Sequence, residues 1–157
     1  MAQLIKAKPN HRKAYFEIVK ALEIGSYNAV ILLGLRKTGK TEILKQLAVN
    51  LGGFYHNFKE TEISFEDTEA LFERGETLLL FDEVGYLENF DLFFGTLSQR
   101  AAETGKQVVI NGSSYGALKQ LGRENLGGGR SHKVELFPLS FEEYLYFSGR
   151  ISGYGSG

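Results

Sequence analysis

Residues 28–47, NAVILLGLRKTGKTEILKQL, pass from an apolar run through glycines and basic residues into a segment with helical spacing. Ala29 to Leu33 shows no alternation of apolar and polar positions, which is the pattern of a strand covered by helices on both faces. From Lys40 to Leu51 the residues Ile43, Leu44, Leu47, Ala48 and Leu51 recur at helical intervals, and Gly52-Gly53 supplies the stop. Between the two, GLRKTGKT fits the spacing G-x-x-x-x-G-K-[ST], with Gly34, Gly39, Lys40 and Thr41 on its fixed positions. Glycines let the backbone wrap closely around an anion, and the helix that follows offers unpaired N–H groups and its positive dipole end. The stretch Gly34, Leu35, Arg36, Lys37, Thr38, Gly39, Lys40, Thr41 and Glu42 therefore reads as a polyphosphate cradle. Lys40 supplies charge to the β- and γ-phosphates and Thr41 a hydroxyl to Mg²⁺. Arg36 contacts phosphate or faces solvent, and Lys37 is expected to face solvent. The competing reading, a glycine-rich turn with incidental basic residues, does not explain why strand, loop and helix all agree.

A second apolar run, TLLLFDE at 77–83, ends in two carboxylates. Open parallel sheets place ligands at the carboxyl edge of their strands, so Asp82 is the candidate Mg²⁺ ligand, directly or through water. Glu83 is the candidate base for an attacking water, either alternating to the other face or swung round at the strand end. A carboxylate opening a helix is its plainer reading. QVVIN at 107–111 is a third buried strand. Its last residue, Asn111, reads equally as a γ-phosphate or water contact and as an ordinary strand-end turn residue. Arg130 follows three glycines and is either an arginine finger, its own or a neighbour's, or a solvated loop arginine.

The remaining elements fit around these. Asn10 is a candidate cap for a helix from His11 to Ile24, with Tyr15, Phe16, Val19 and Leu22 on its buried face and Gly25 as its stop. A short strand is expected near Phe54 to Phe58, and a helix over 65–74 with Ser64 as its cap and Asp67 at N3. A long helix over 88–104 carries Phe90, Phe93, Leu97 and Ala101 on one side. A short helix holds Leu118 and Leu121, a strand covers 133–137, and Ser140 with Glu143 forms a capping box for a last helix. Strands alternating with helices at these intervals predict an α/β fold of three αβα layers on a mostly parallel sheet. Residues 1–147 form the expected core domain, and the Gly/Ser-rich 148–157 reads as a flexible tail or scar.

Composition limits the alternatives. The 157 residues suffice for one domain with a real core, and 43% hydrophobic with 24% charged residues excludes disordered and fibrous classes. A net charge of −1, from 18 basic and 19 acidic residues, provides no overall attraction for nucleic acid or an anionic membrane. Without cysteine there are no disulfides, thiolate zinc sites or cysteine nucleophiles. The three histidines are scattered, and no second ligand stands at zinc spacing. No run approaches the ~20 apolar residues of a membrane span, and no secretory signal is legible, so the expected location is cytoplasmic.

With the loop, the acidic pair and NGSS in place, the chain resembles P-loop ATPases that carry an extra strand between the loop strand and the acidic strand. More narrowly it resembles the prokaryotic archaeal-type ATPases of the AAA+/STAND grouping. The resemblance rests on Gly34, Arg36, Gly39, Lys40 and Thr41, then Gly112, Ser113 and Ser114, then Gly129 and Arg130, then PLSFEEYL at 138–145. Members usually carry threonine where Asn111 stands. The resemblance implies strand order 5-1-4-3-2, ATP with Mg²⁺ as ligand, and a C-terminal part beyond these residues. It also implies sites completed across a homo-oligomer, and a protein or DNA-processing partner acting through that C-terminal part. The leading activity is hydrolysis of the β–γ bond of ATP to ADP and phosphate. A nucleotide-gated switch with negligible turnover is the alternative. A small P-loop kinase ranks below both for lack of an arginine-rich lid, and a GTPase lower still for lack of N-K-x-D.

Overall fold

The computed structural model describes residues 11–25, 29–34, 39–60, 65–86, 97, 99–111 and 131–154. Five strands, β1 (Ala29–Gly34), β2 (Phe54–Asn57), β3 (Leu78–Asp82), β4 (Gln107–Asn111) and β5 (Ser131–Leu136), form one sheet in the order β2-β3-β4-β1-β5. Every neighbouring pair is parallel. Read from the other edge, this is the expected order 5-1-4-3-2.

The apolar runs are explained by what covers them. All six residues of β1 and all five of β3 are buried. Alternation along each strand sends successive side chains to opposite faces. Val30 and Leu32 of β1, Leu78 and Leu80 of β3, Val109 of β4 and Val134 of β5 join a core beneath helices α1 (Lys13–Ile24) and α2 (Lys40–Leu51). Ile31, Leu33, Leu79, Phe81, Val108 and Ile110 join a second core with Phe58, Phe72, Leu97 and Ala101. The latter pair belongs to a helical stretch that includes 99–104. Fully burying each such side chain is worth about 1.5–3 kcal/mol relative to leaving it exposed, so the two faces of the sheet hold most of the fold's apolar stabilisation.

α2 keeps its expected bounds and buries Ile43, Leu44, Leu47 and Ala48, whereas Leu51 in the last turn is exposed. Gly52 ends it with φ +73°, the left-handed conformation that costs glycine least. Gly53 is required for a different reason. A Cβ there would lie 2.8 Å from Leu80 Cδ1 and 3.1 Å from the Leu78 carbonyl, so the backbone entering β2 packs directly on β3.

α1 corrects the expected boundary. It begins at Lys13, two residues late, and buries Ala14, Tyr15, Ile18, Ala21 and Leu22, while Phe16 is half exposed. Its N-cap, Arg12, makes no capping bond with its own side chain. The Glu143 carboxylate accepts from the Lys13 N–H at 3.1 Å instead. Helix α3 (Phe65–Leu71) ends three residues early and gives way to turns through Arg74. The last helix, α4 (Phe141–Phe147), has the full capping box, Glu143 N–H to Ser140 Oγ and Ser140 N–H to Glu143 Oε1, each 3.1 Å. Beyond it, the Tyr154 hydroxyl donates to the His11 carbonyl at 2.5 Å. Asn10 and Ser64, the helix over 88–96 and the one with Leu118 and Leu121 lie outside the described residues. Among the described residues no helix is long and apolar enough to cross a membrane.

Candidate nucleotide site at the carboxyl edge of the sheet

The carboxyl ends of β1, β4 and β3 stand side by side, because these strands are sheet neighbours running the same way. They end in Gly34, Asn111 and Asp82. Alternation then decides where the side chains go. Asp82 follows Leu78 and Leu80, and Asn111 follows Val109, all of which face α1 and α2. Both polar side chains therefore project to the side on which α2 begins with Lys40 and Thr41.

Both are fully buried. Asn111 donates its amide Nδ2 to Asp82 Oδ1, joining the ends of β4 and β3 by a side-chain bond. On the other flank, the Tyr55 hydroxyl of β2 donates to Asp82 Oδ2 at 2.5 Å. Burial, then this hydrogen bond and the charge of Asp82, push the Tyr55 phenol far above its ordinary range, so it serves as a donor. The amide oxygen of Asn111 has no hydrogen-bond partner among the described residues although it is buried. Buried polar atoms rarely stay unpaired, so this oxygen marks a place where a ligand group or water belongs.

Gly39 precedes α2 with φ +99°, a conformation that strains any L side chain and explains the glycine. Lys40 is buried and donates from Nζ to the Gly34 carbonyl at 2.6 Å, folding its charge across the loop mouth. Thr41 and Glu42 follow in the first turn of α2, both half-buried. Glu83 lies just past β3 with φ +55°, and its carbonyl accepts from the Tyr86 N–H at 3.1 Å to close a short helical turn, Val84–Tyr86. The chain thus leaves strand geometry at Glu83. Of the two placements the sequence left open, the backbone takes the turn at the strand end. Leu35, Arg36, Lys37 and Thr38 of the loop, Gly112, Ser113 and Ser114, and Gly129 with Arg130 lie outside the described residues.

Two residues beside the site escaped sequence reasoning. Tyr55 sat unremarked in the short strand FYHN, although the register pairing Asn57 with Asp82 puts it within reach of that carboxylate. Arg12 is the other. Its guanidinium donates from Nε to Glu143 Oε2 at 2.7 Å and from Nη2 to the Phe137 carbonyl at 2.6 Å, and its Nη1 lies 3.6 Å from where a Gly39 Cβ would stand. The partners are 131 residues apart in sequence, and no local pattern announces them.

The carboxylate of Asp82 and the hydroxyl of Thr41 are oxygen donors of the kind a hard divalent cation such as Mg²⁺ takes. Sheet order, loop strand and acidic strand together define the three-layer fold of P-loop nucleoside triphosphatases. A family model described as an AAA domain matches residues 26–145, and the chain belongs to that family.

The protein MJ1544 of Methanocaldococcus jannaschii is 33% identical, with 74% of this chain and 28% of that protein covered. The Walker-type ATPase PABY2304 of Pyrococcus abyssi superposes with TM-score 0.65 at 16% identity, covering 94% of this chain and 61% of that one. Aeropyrum pernix Orc1, solved in complex with DNA, gives 0.60 at 18% identity, covering 93% and 51%. Domain III of the Thermotoga maritima replication initiation protein DnaA gives 0.51 at 19% identity, covering 84% and 65%. At these identities the structural matches speak for the fold. The chain spans about a quarter of the length of the curated relative and about six-tenths of the Pyrococcus ATPase.

Proposed function

We propose that this AAA domain binds ATP with Mg²⁺ and hydrolyses it to ADP and phosphate. The observation that carries the reading is the buried Asp82–Asn111 pair at the carboxyl edge, on the same face as the start of α2, with Lys40 held across the loop mouth. Gly34, Leu35, Arg36, Lys37, Thr38, Gly39, Lys40, Thr41 and Glu42 form the cradle, and Lys40 leaves the Gly34 carbonyl to meet the β- and γ-phosphates. Thr41 and Asp82 hold the ion, which when bound neutralises charge on those phosphates. Glu83 accepts a proton from the attacking water as the water oxygen bonds to the γ-phosphorus. The bond from that phosphorus to the β–γ bridging oxygen breaks, and ADP departs with the electron pair. Asn111, through its unpaired oxygen, orients the water, and Arg130 counters charge in the transition state.

The AAA+/STAND assignment, assembly into a homo-oligomer and the coupling of ATP to a further domain or partner belong to the same proposal. They are supported by the series Gly112-Ser113-Ser114, Gly129-Arg130 and PLSFEEYL.

Single-turnover hydrolysis of ATP tests the reading. Glu83→Gln is expected to bind ATP as the parent does and to hydrolyse it about 10²–10⁴-fold more slowly, the usual contribution of a positioned base. Equal rates remove Glu83 from the role. Tight ATP retention with negligible turnover in the parent itself turns the reading into a nucleotide-gated switch.

A further inference from the structure

We propose that Tyr55 is a positioning residue for the metal-binding carboxylate, sharing with Asn111 the task of fixing Asp82 in the orientation that accepts Mg²⁺. The inference rests on the assignment of Asp82 as an ion ligand. Asp82 receives one donor on each oxygen, from the strand on each side, Asn111 to Oδ1 and Tyr55 to Oδ2. Two donors on opposite flanks leave the carboxylate no free rotation about its last torsion. Each carboxylate oxygen has two acceptor directions, so both keep one for an ion or its water.

The donor order is also set. Asn57 accepts through Oδ1 from the Lys59 and Glu60 N–H groups, at 2.8 and 3.3 Å, in a turn that closes β2. Its Nδ2 therefore faces the Tyr55 oxygen, at 3.4 Å. With Asn57 donating to it, the phenol directs its own hydrogen to Asp82, in a chain running from Asn57 through Tyr55 to the carboxylate. Bonds aligned in one direction polarise and reinforce one another.

The ring is held as well. Tyr55 packs against the α1–α2 core, and Lys45 Nζ of α2 stands 5.9 Å from its ring centre. Because Tyr55 is only half-buried, water could satisfy its hydroxyl, and the fold does not require Asp82 as its partner. The wholly buried Asp82 is the group that depends on the bond. Groups that orient a metal ligand typically change metal affinity by about 10–100-fold when removed.

Tyr55→Phe deletes the hydroxyl and keeps the ring. ATP binding is followed by titration calorimetry, with Mg²⁺ varied from none, in chelator, to saturation. The variant is expected to need about 10–100-fold more Mg²⁺ for half-maximal enhancement of ATP affinity. Its affinity without metal should stay within about twofold of the parent, because a hydroxyl that acts on the ion ligand alone leaves the phosphate contacts in place. An unchanged Mg²⁺ requirement in a metal-dependent parent overturns the role of Tyr55 alone. A parallel loss of metal-free binding overturns it too, since Tyr55 would then act through the fold. A parent whose ATP affinity ignores Mg²⁺ overturns the ion assignment of Asp82, and this inference with it.

Discussion

Glu83 has the only positive φ of any non-glycine among the described residues, +55°. For an L residue this conformation costs roughly 1–2 kcal/mol, and the residue it burdens is the proposed base. Glycine would relieve the strain while adding freedom to the unfolded chain. Glu83→Gly is therefore expected to unfold at equal or higher urea concentration than the parent, by up to about 1 kcal/mol, and to lose hydrolysis. A variant that is less stable by a similar amount would show that the side chain holds the turn. The acidic pair was legible because it closes an apolar run at the edge where parallel sheets take ligands, although Glu83 also stands where a carboxylate opens a helical turn, Val84–Tyr86. Which way Glu83 points was not, since strand alternation and a turn at the strand end are both compatible with the sequence. The buried bond between Asn111 and Asp82 was hidden for another reason: the expected order makes β3 and β4 neighbours, but no residue pattern tells that their two terminal side chains leave the same face and meet.

One carboxylate serves two helices and one arginine. Glu143 takes part in the capping box of α4, accepts the Lys13 N–H at the start of α1 and pairs with Arg12, whose side chain is 12% exposed. Burial alone would raise its pKa. Hydrogen bonds from Arg12 and from the Ser140 and Lys13 N–H groups outweigh that, and hold it below its ordinary value of 4.5. A carboxylate with a depressed folded-state pKa contributes stability that is complete above the unfolded value and is lost as pH falls through the folded one. Glu143→Gln should thus flatten the loss of stability below about pH 4.5, measured by urea unfolding across pH. At pH 7, Glu143→Ala should cost about 2–4 kcal/mol, near the lower end for a broken buried pair because the guanidinium keeps some solvent. An acid limb identical to that of the parent would contradict this. The capping box was plain in the sequence, being four residues long. The start of α1 was misplaced because its cap comes from 130 residues away.

A mostly parallel sheet was the most legible feature of the molecule, and long buried runs joined by helical segments leave few orders for its strands. The resemblance carried by the loop and PLSFEEYL selected among them. What no residue pattern conveyed is how the edge is knit together: Tyr55 from β2 and Asn111 from β4 close on Asp82, and Arg12 reaches from α1 to the loop at Gly39. These contacts join elements far apart in sequence around the carboxyl edge of the sheet: β2, β3 and β4 meet at Asp82, and the start of α1, the last helix and Gly39 meet at Arg12. The central claim is that this region grips a triphosphate. Titration calorimetry with ATP and Mg²⁺, on the parent and on Lys40→Ala, tests it most directly. The parent should bind saturably at one site, and the variant, folded to the same melting temperature within a few degrees, should bind at least about 100-fold more weakly, as befits the loss of charge-assisted bonds to phosphate. A folded parent that gives no saturable heat, or a variant that binds as tightly as the parent, would contradict it.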